Sequence, residues 1–130
     1  MIDPSAPKLV EKPWGEELWF AATPLYAGKL LRVRAGHRLS LQYHRRKDES
    51  SYLLSGRALI AQGPSAEEMV EREIGPGECW RNEPGSLHRF EALEDAVVVE
   101  VSTPELEDVV RVEDRYGRAE AEPDRPRADA

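Results

Sequence analysis

Gln42, His44 and Glu49 crowd into the stretch GHRLSLQYHRRKDESSYLLSG, and His88 follows a second glycine turn in EPGSLHRF. Imidazole nitrogens and carboxylate oxygens are ligands for divalent first-row cations, and an amide oxygen completes such a shell without adding charge. Alternate side chains of an extended strand share a face, so Ser40, Gln42 and His44 point one way and Leu39, Leu41 and Tyr43 the other. Glu49 comes after a short turn and can swing to the polar side. One of these residues alone would be read as a satisfied hydrogen-bonding group. Together, with His88 on the strand face of Ser86 and Phe90, they point to a metal centre. The mixed shell leaves zinc, manganese, iron, cobalt and nickel open, with zinc taken first. His37, beside a glycine and one face away, reads as a surface residue.

The elements that must position these groups read as strands. Period-two patterns separated by glycine and proline turns run through 17–20, 29–35, 38–44, 51–54, 57–62, 69–74, 78–81, 87–93, 96–102 and 108–112. Many short strands in one small chain predict an all-β sandwich or barrel. SGR at Ser55–Arg57 predicts a tight hairpin, GPG and EPG sharp loops, and PELEDVV a single helical turn. Residues 1–13 read as a flexible N-terminal arm docking through Trp14, 14–118 as a single domain, and 119–130 as a disordered tail.

Composition narrows the partners. The chain has 130 residues, 40% of them hydrophobic, and a formal charge of −7, which disfavours a nucleic-acid partner. A single cysteine, Cys79, allows neither an internal disulfide nor a cysteine-based zinc cluster, and suits a reducing, cytoplasmic setting. No apolar run approaches the ~20 residues of a membrane span, so no membrane partner is expected.

The spacing of Gly36, Gln42, His44, Glu49 and Gly56 resembles the first cupin motif, with glutamine where most members have histidine. Gly77, Gly85 and His88 resemble the second, although Pro84 sits one place later than usual and Ala92 replaces a frequent asparagine. This resemblance implies a double-stranded β-helix, or jelly-roll barrel, with one metal inside one end. KPWGEE, GHRLSLQYH, LSGRA, PGSLHR and VEVSTPELEDVVRVEDRYGR together look like the isomerase domain of type II phosphomannose isomerases, over residues 12–118. That domain follows the nucleotidyltransferase domain of bifunctional mannose-1-phosphate guanylyltransferases, and Gln-x-His is typical of it. The resemblance implies metal-dependent interconversion of mannose 6-phosphate and fructose 6-phosphate. The glycine-rich loop of the nucleotidyltransferase is absent here, so no guanylyltransferase activity is expected.

Such chemistry needs an electrophile for the C1 and C2 oxygens, a base between the carbons and cations for the phosphate. Glu100 interrupts the valines of AVVVEVS and shares a face with Val98 and Ser102, so burial would raise its pKa as suits a general base. Its structural alternative is an ion pair with Arg32 or Arg34. Arg32, Arg34, Arg38 and Arg89 are candidate phosphate ligands, because guanidinium matches phosphate bidentately. Arg118, in DRYGR, takes an active-site role from the family resemblance. RRKDE reads as an exposed turn apart from Glu49. Leu39, Leu41, Tyr43, Tyr52 and Leu54 would cover the outside of one sheet and predict a homodimer, sealed by the Trp14 arm. Trp19 and Trp80 read as core or rim. Two rival functions stand beside the isomerase: a non-catalytic metal-containing module that binds a sugar or small metabolite, and an iron-dependent oxygenase.

Overall fold

A computed structural model of the chain describes residues 6–119. The start of the expected arm and nearly all of the expected tail lie outside them. The strands are β1 (Lys8–Lys12), β2 (Gly15–Ala22), β3 (Ala27–Val33), β4 (Leu41–Tyr43), β5 (Glu49–Ser55), β6 (Ala58–Gly63), β7 (Val70–Ile74), β8 (Cys79–Asn82), β9 (Leu87–Ala92), β10 (Ala96–Ser102) and β11 (Val110–Glu113). A 3-10 turn, Ala66–Glu68, is the one helical element among the described residues. Two antiparallel sheets face each other, ordered β1-β2-β3-β10-β5-β8 and β11-β4-β9-β6-β7. The all-β jelly-roll expectation therefore holds.

Alternation decides which residues face inward. On β10, Ala96, Val98 and Glu100 are buried, and Val97 and Val99 turn outward. On β5, Glu49, Ser51 and Leu53 are buried, while Ser50, Tyr52 and Leu54 are exposed. Gly56, at φ 90°, turns β5 into β6; a Cβ there would stand 2.3 Å from the Asp95 carbonyl oxygen, so only glycine fits.

The registers divide the interior into a dry half and a polar half. Val98 pairs with Leu31 and Leu53, and Ile60 with Phe90, forming the apolar layer. The adjacent layer of the six-stranded sheet runs Trp19, Lys29, Glu100, Ser51, Trp80. Opposite it, the five-stranded sheet presents Arg111, Gln42, His88, Gln62. Truncating Leu53, fully buried in the dry half, would cost about 2–5 kcal/mol.

Three expectations are corrected. Lys8–Lys12 is not a flexible arm: it pairs residue by residue with β2, and Trp14 is 2% exposed in the chain's own core rather than docked elsewhere. Leu41 and Tyr43 do not cover an open face: with Leu87 and Val110 they form a second buried cluster on the outer side of the five-stranded sheet, and Leu39 packs on the main core. PELEDVV forms turns, without a helical turn, before β11.

Candidate metal centre and cavity

His44 follows β4, Glu49 opens β5 and His88 lies near the start of β9, so three strand ends converge. One ligand atom from each lies within 4.8 Å of the others, and all three residues are buried. Gln42 pairs across the sheet with His88 and lines the same cavity, of about 120 Å³.

Backbone carbonyls orient both imidazoles. His44 Nδ1 meets the Asp108 carbonyl oxygen at 2.5 Å, and His88 Nδ1 meets that of Ser86 at 3.1 Å. A carbonyl can only accept, so each Nδ1 donates and each Nε2 is left for the site. His44 Nε2 has no hydrogen-bond partner and lies 2.9 Å from Glu49 Oε1. A lone pair against a carboxylate is repulsive unless a cation lies between them, and this donor set suits a divalent ion. Burial pushes the His88 pKa down to about 4, against the pull of Glu49, which keeps it in the neutral form that ligates metal.

Burial alone would raise the Glu49 carboxyl, but the close approach of His44 and the Lys47 charge hold it well below the usual carboxylate range. Its second oxygen accepts from Asn82 Nδ2 at 3.1 Å, and Gln62 Nε2 fixes Asn82 Oδ1 at 2.8 Å. Lys47 corrects the reading of RRKDE as an exposed turn. Its ammonium is buried 3.2 Å from Glu49 Oε1 and 3.3 Å from Glu100 Oε2. Burial lowers the Lys47 pKa, but Glu100 and Glu49 overcome it and raise it. Burial, then the charge of Glu49, raises the Glu100 carboxyl, against the pull of Lys47 and Lys29. Beside it Lys29 meets Glu17 at 3.1 Å and lies over the Trp19 ring, whose indole donates to Glu17.

The arginines divide. Arg118 lines the cavity, bound to Asp114 through its main-chain N, Nε and Nη2. Arg32 is not a partner of Glu100: it lies on the outward face of β3 and meets Glu16 at 2.6 Å. Arg34 donates to the Pro13 carbonyl, and Arg38 forms a backbone β-bridge with Glu91 of β9. None of these three lines the cavity. Arg89 adjoins its wall, but alternation with His88 sends the side chain outward to Glu71, 3.8 Å away. His37 is more than a surface residue, since its Nδ1 shares a 2.6 Å hydrogen bond with the Tyr116 hydroxyl.

Lys47, Lys29, Glu17, Asn82 and Asp108 enter the site without having been singled out in the sequence. Alternation carried back from Leu53 through Ser51 and Glu49 reaches Lys47, and carried back from Val33 through Leu31 reaches Lys29. Asp108 gave no such signal, because its contacts come from an irregular turn.

Solved structures share this architecture. KdgF from Halomonas sp. matches with TM-score 0.67 at 20% identity, covering 77% of this chain and 88% of that one. An RmlC-like cupin from Shewanella frigidimarina matches with TM-score 0.67 at 12% identity, over 79% of this chain and 88% of that one. This chain has the cupin fold. In sequence the cupin is 32% identical over 114 residues to mannose-1-phosphate guanylyltransferase ManC of Salmonella typhimurium. The match takes in 84% of this chain and 23% of that protein, so the cupin spans less than a quarter of its curated relative's length. No protein-family model matches the chain. Among the described residues, no helix is long and apolar enough to cross a membrane.

Proposed function

We propose that this cupin is a metal-dependent aldose–ketose isomerase acting on a sugar phosphate, with mannose 6-phosphate and fructose 6-phosphate as its pair. The observation that carries the reading is Glu100, a buried carboxyl of raised pKa, in one cavity with the metal-donor set. The likeness to ManC supports the choice of sugar. His44, Glu49 and His88 would hold the ion, with Gln42 as a neutral fourth donor and zinc as the first candidate. A divalent ion there supplies Lewis-acid polarisation of the adjacent substrate oxygens. Glu100 removes the proton from one carbon and returns it to its neighbour, so the same carboxyl serves as base and then acid. Lys47 holds Glu100 against the site at 3.3 Å. Arg118, which lines the same cavity, would contact the sugar.

The test is Glu100→Gln in deuterated buffer. The variant should keep bound metal while losing turnover and the incorporation of solvent deuterium into product. Exchange at the wild-type rate would remove Glu100 from the mechanism.

One observation favours a second reading, a non-catalytic sugar-binding module: the Lys47 ion pair occupies the carboxylate that the reaction needs. Thermal stabilisation by sugar phosphates, without turnover on any of them, is its signature.

The assembly proposed is a homodimer through the outer face of the six-stranded sheet. There Leu9, Leu18, Leu30, Val99, Tyr52 and Cys79 are in register as one row across all six strands.

A further inference from the structure

The two oxygens of Glu49 have different surroundings. Oε1 lies 2.9 Å from His44 Nε2 and 3.2 Å from the Lys47 ammonium, on the side of the metal donors. Oε2 is met from β8, where Asn82 Nδ2 donates to it at 3.1 Å. Asn82 is the cross-strand neighbour of Glu49 and is 3% exposed. A buried amide is costly unless it is paired, and both ends of this one are engaged. A chain of hydrogen bonds decides which way it points. The Arg81 carbonyl can only accept, so Gln62, 2.6 Å away, must present its amide nitrogen there. That nitrogen carries a second hydrogen, which goes to Asn82 Oδ1 at 2.8 Å. Asn82 is left with its NH2 toward the Glu49 carboxylate, a charge-assisted contact.

The same chain spans the barrel beside the site. Gln62 is in register with His88 on the five-stranded sheet, and Asn82 with Glu49 on the six-stranded sheet, so one hydrogen bond joins the neighbours of two metal donors. A carboxylate can give a divalent ion one oxygen or two. We infer that Asn82, oriented by Gln62, is a positioning residue that reserves Oε2 and restricts Glu49 to a single ligating oxygen, Oε1. The inference rests on the metal-centre reading of this cavity. Its consequence is room at the ion. The position that a second Glu49 oxygen would take stays open for a substrate oxygen, and polarising two neighbouring substrate oxygens requires such openings.

Cobalt(II) added to the whole chain after stripping by chelation tests the arrangement, because its visible absorption bands weaken as coordination number rises and are read without turnover. Asn82→Leu, close to isosteric, should keep its cobalt and show bands clearly weaker than the wild type as the released Oε2 joins the ion. Gln62→Leu should change the spectrum in the same direction by less, since Asn82 keeps its donor but loses its anchor. A link that only joined the sheets would lower stability when cut and leave the spectrum unchanged. Loaded Asn82→Leu with the wild-type spectrum therefore overturns the proposal. So does a folded Asn82→Leu that binds no cobalt, which would make Asn82 a condition of binding rather than of its mode. A change in Asn82→Leu alone would remove Gln62 from the assignment. Should Asn82→Leu fail to fold, as judged by circular dichroism, Gln62→Leu decides by itself, because Gln62 is only half-buried at the cavity wall. A folded wild type that bound no cobalt would overturn the metal centre and this proposal with it, whereas a loaded wild type with unchanged variants overturns the proposal and leaves the metal centre standing.

Discussion

Asp108 holds His44 in two ways. Its main-chain carbonyl accepts the His44 Nδ1 hydrogen at 2.5 Å, and its carboxylate accepts the main-chain N–H groups of Arg45, Arg46 and Lys47 at 3.0, 2.7 and 3.0 Å. One residue of an irregular turn thus sets the imidazole's tautomer and fixes the loop that carries Lys47 into the barrel.

Asp108→Asn should therefore cost about 1–3 kcal/mol in urea unfolding and weaken metal binding about tenfold or more. Burial would raise this carboxyl, but the three N–H donors win and lower it. A depressed folded pKa contributes stability that is full above the unfolded value, roughly 3.9, and is lost as pH falls through the folded value. The gap between wild type and variant should stay constant from neutral pH down to about 4 and close below it. A gap that widened in acid would contradict this.

Lys47→Met leaves the Glu49 and Glu100 carboxylates buried without their shared cation. Removing one partner of a buried pair costs about 3–5 kcal/mol. Adding Glu100→Leu should recover much of that stability while turnover stays absent. Unfolding curves and the isomerase assay together separate the structural from the chemical part of the pair.

Tyr116 packs against Arg118, and on the proposed function it would hold the guanidinium in place. Its hydroxyl bonds to His37, its ring lies 5.7 Å from the Arg118 guanidinium carbon, and neighbouring Arg115 donates to the Gly36 carbonyl. Tyr116→Phe should lower kcat with metal content unchanged, at a stability cost of about 1 kcal/mol. Arg118→Ala should abolish turnover and also leave the metal in place. Loss of metal in either variant would assign this segment to the ion instead.

Much of this was legible from residue types alone. AVVVEVS gave β10 its face and its buried acid, and the glycine-bounded spacing of Gln42, His44, Glu49 and His88 brought together groups that the fold does make converge. What failed were statements that depend on register. The side of the sheet on which Arg32 or Arg89 lies is set by its alternation with Leu31 or His88, and charge alone says nothing about it. β1 has too few apolar residues to announce itself and exists through its pairing with β2. Tyr43 was assigned to an open face because nothing in its own strand indicates that Leu87 and Val110 cover it.

The outer row of the six-stranded sheet gives a prediction on assembly. Tyr52 and Leu54 are exposed and point away from the core, so Tyr52→Glu and Leu54→Glu should leave the fold intact. Light scattering after size exclusion should find the wild type as a dimer and the doubly substituted chain as a monomer. A monomeric wild type would refute the dimer.

The most direct test of the central claim is a coupled assay for fructose 6-phosphate formed from mannose 6-phosphate, on protein stripped by chelation and then reloaded with single divalent ions. Turnover should vanish on stripping, return with one or more ions, and stay absent in His44→Ala and Glu49→Ala, which should bind no metal. Undiminished turnover in the stripped protein, or none with any ion on folded wild type, would contradict a metal-dependent isomerase.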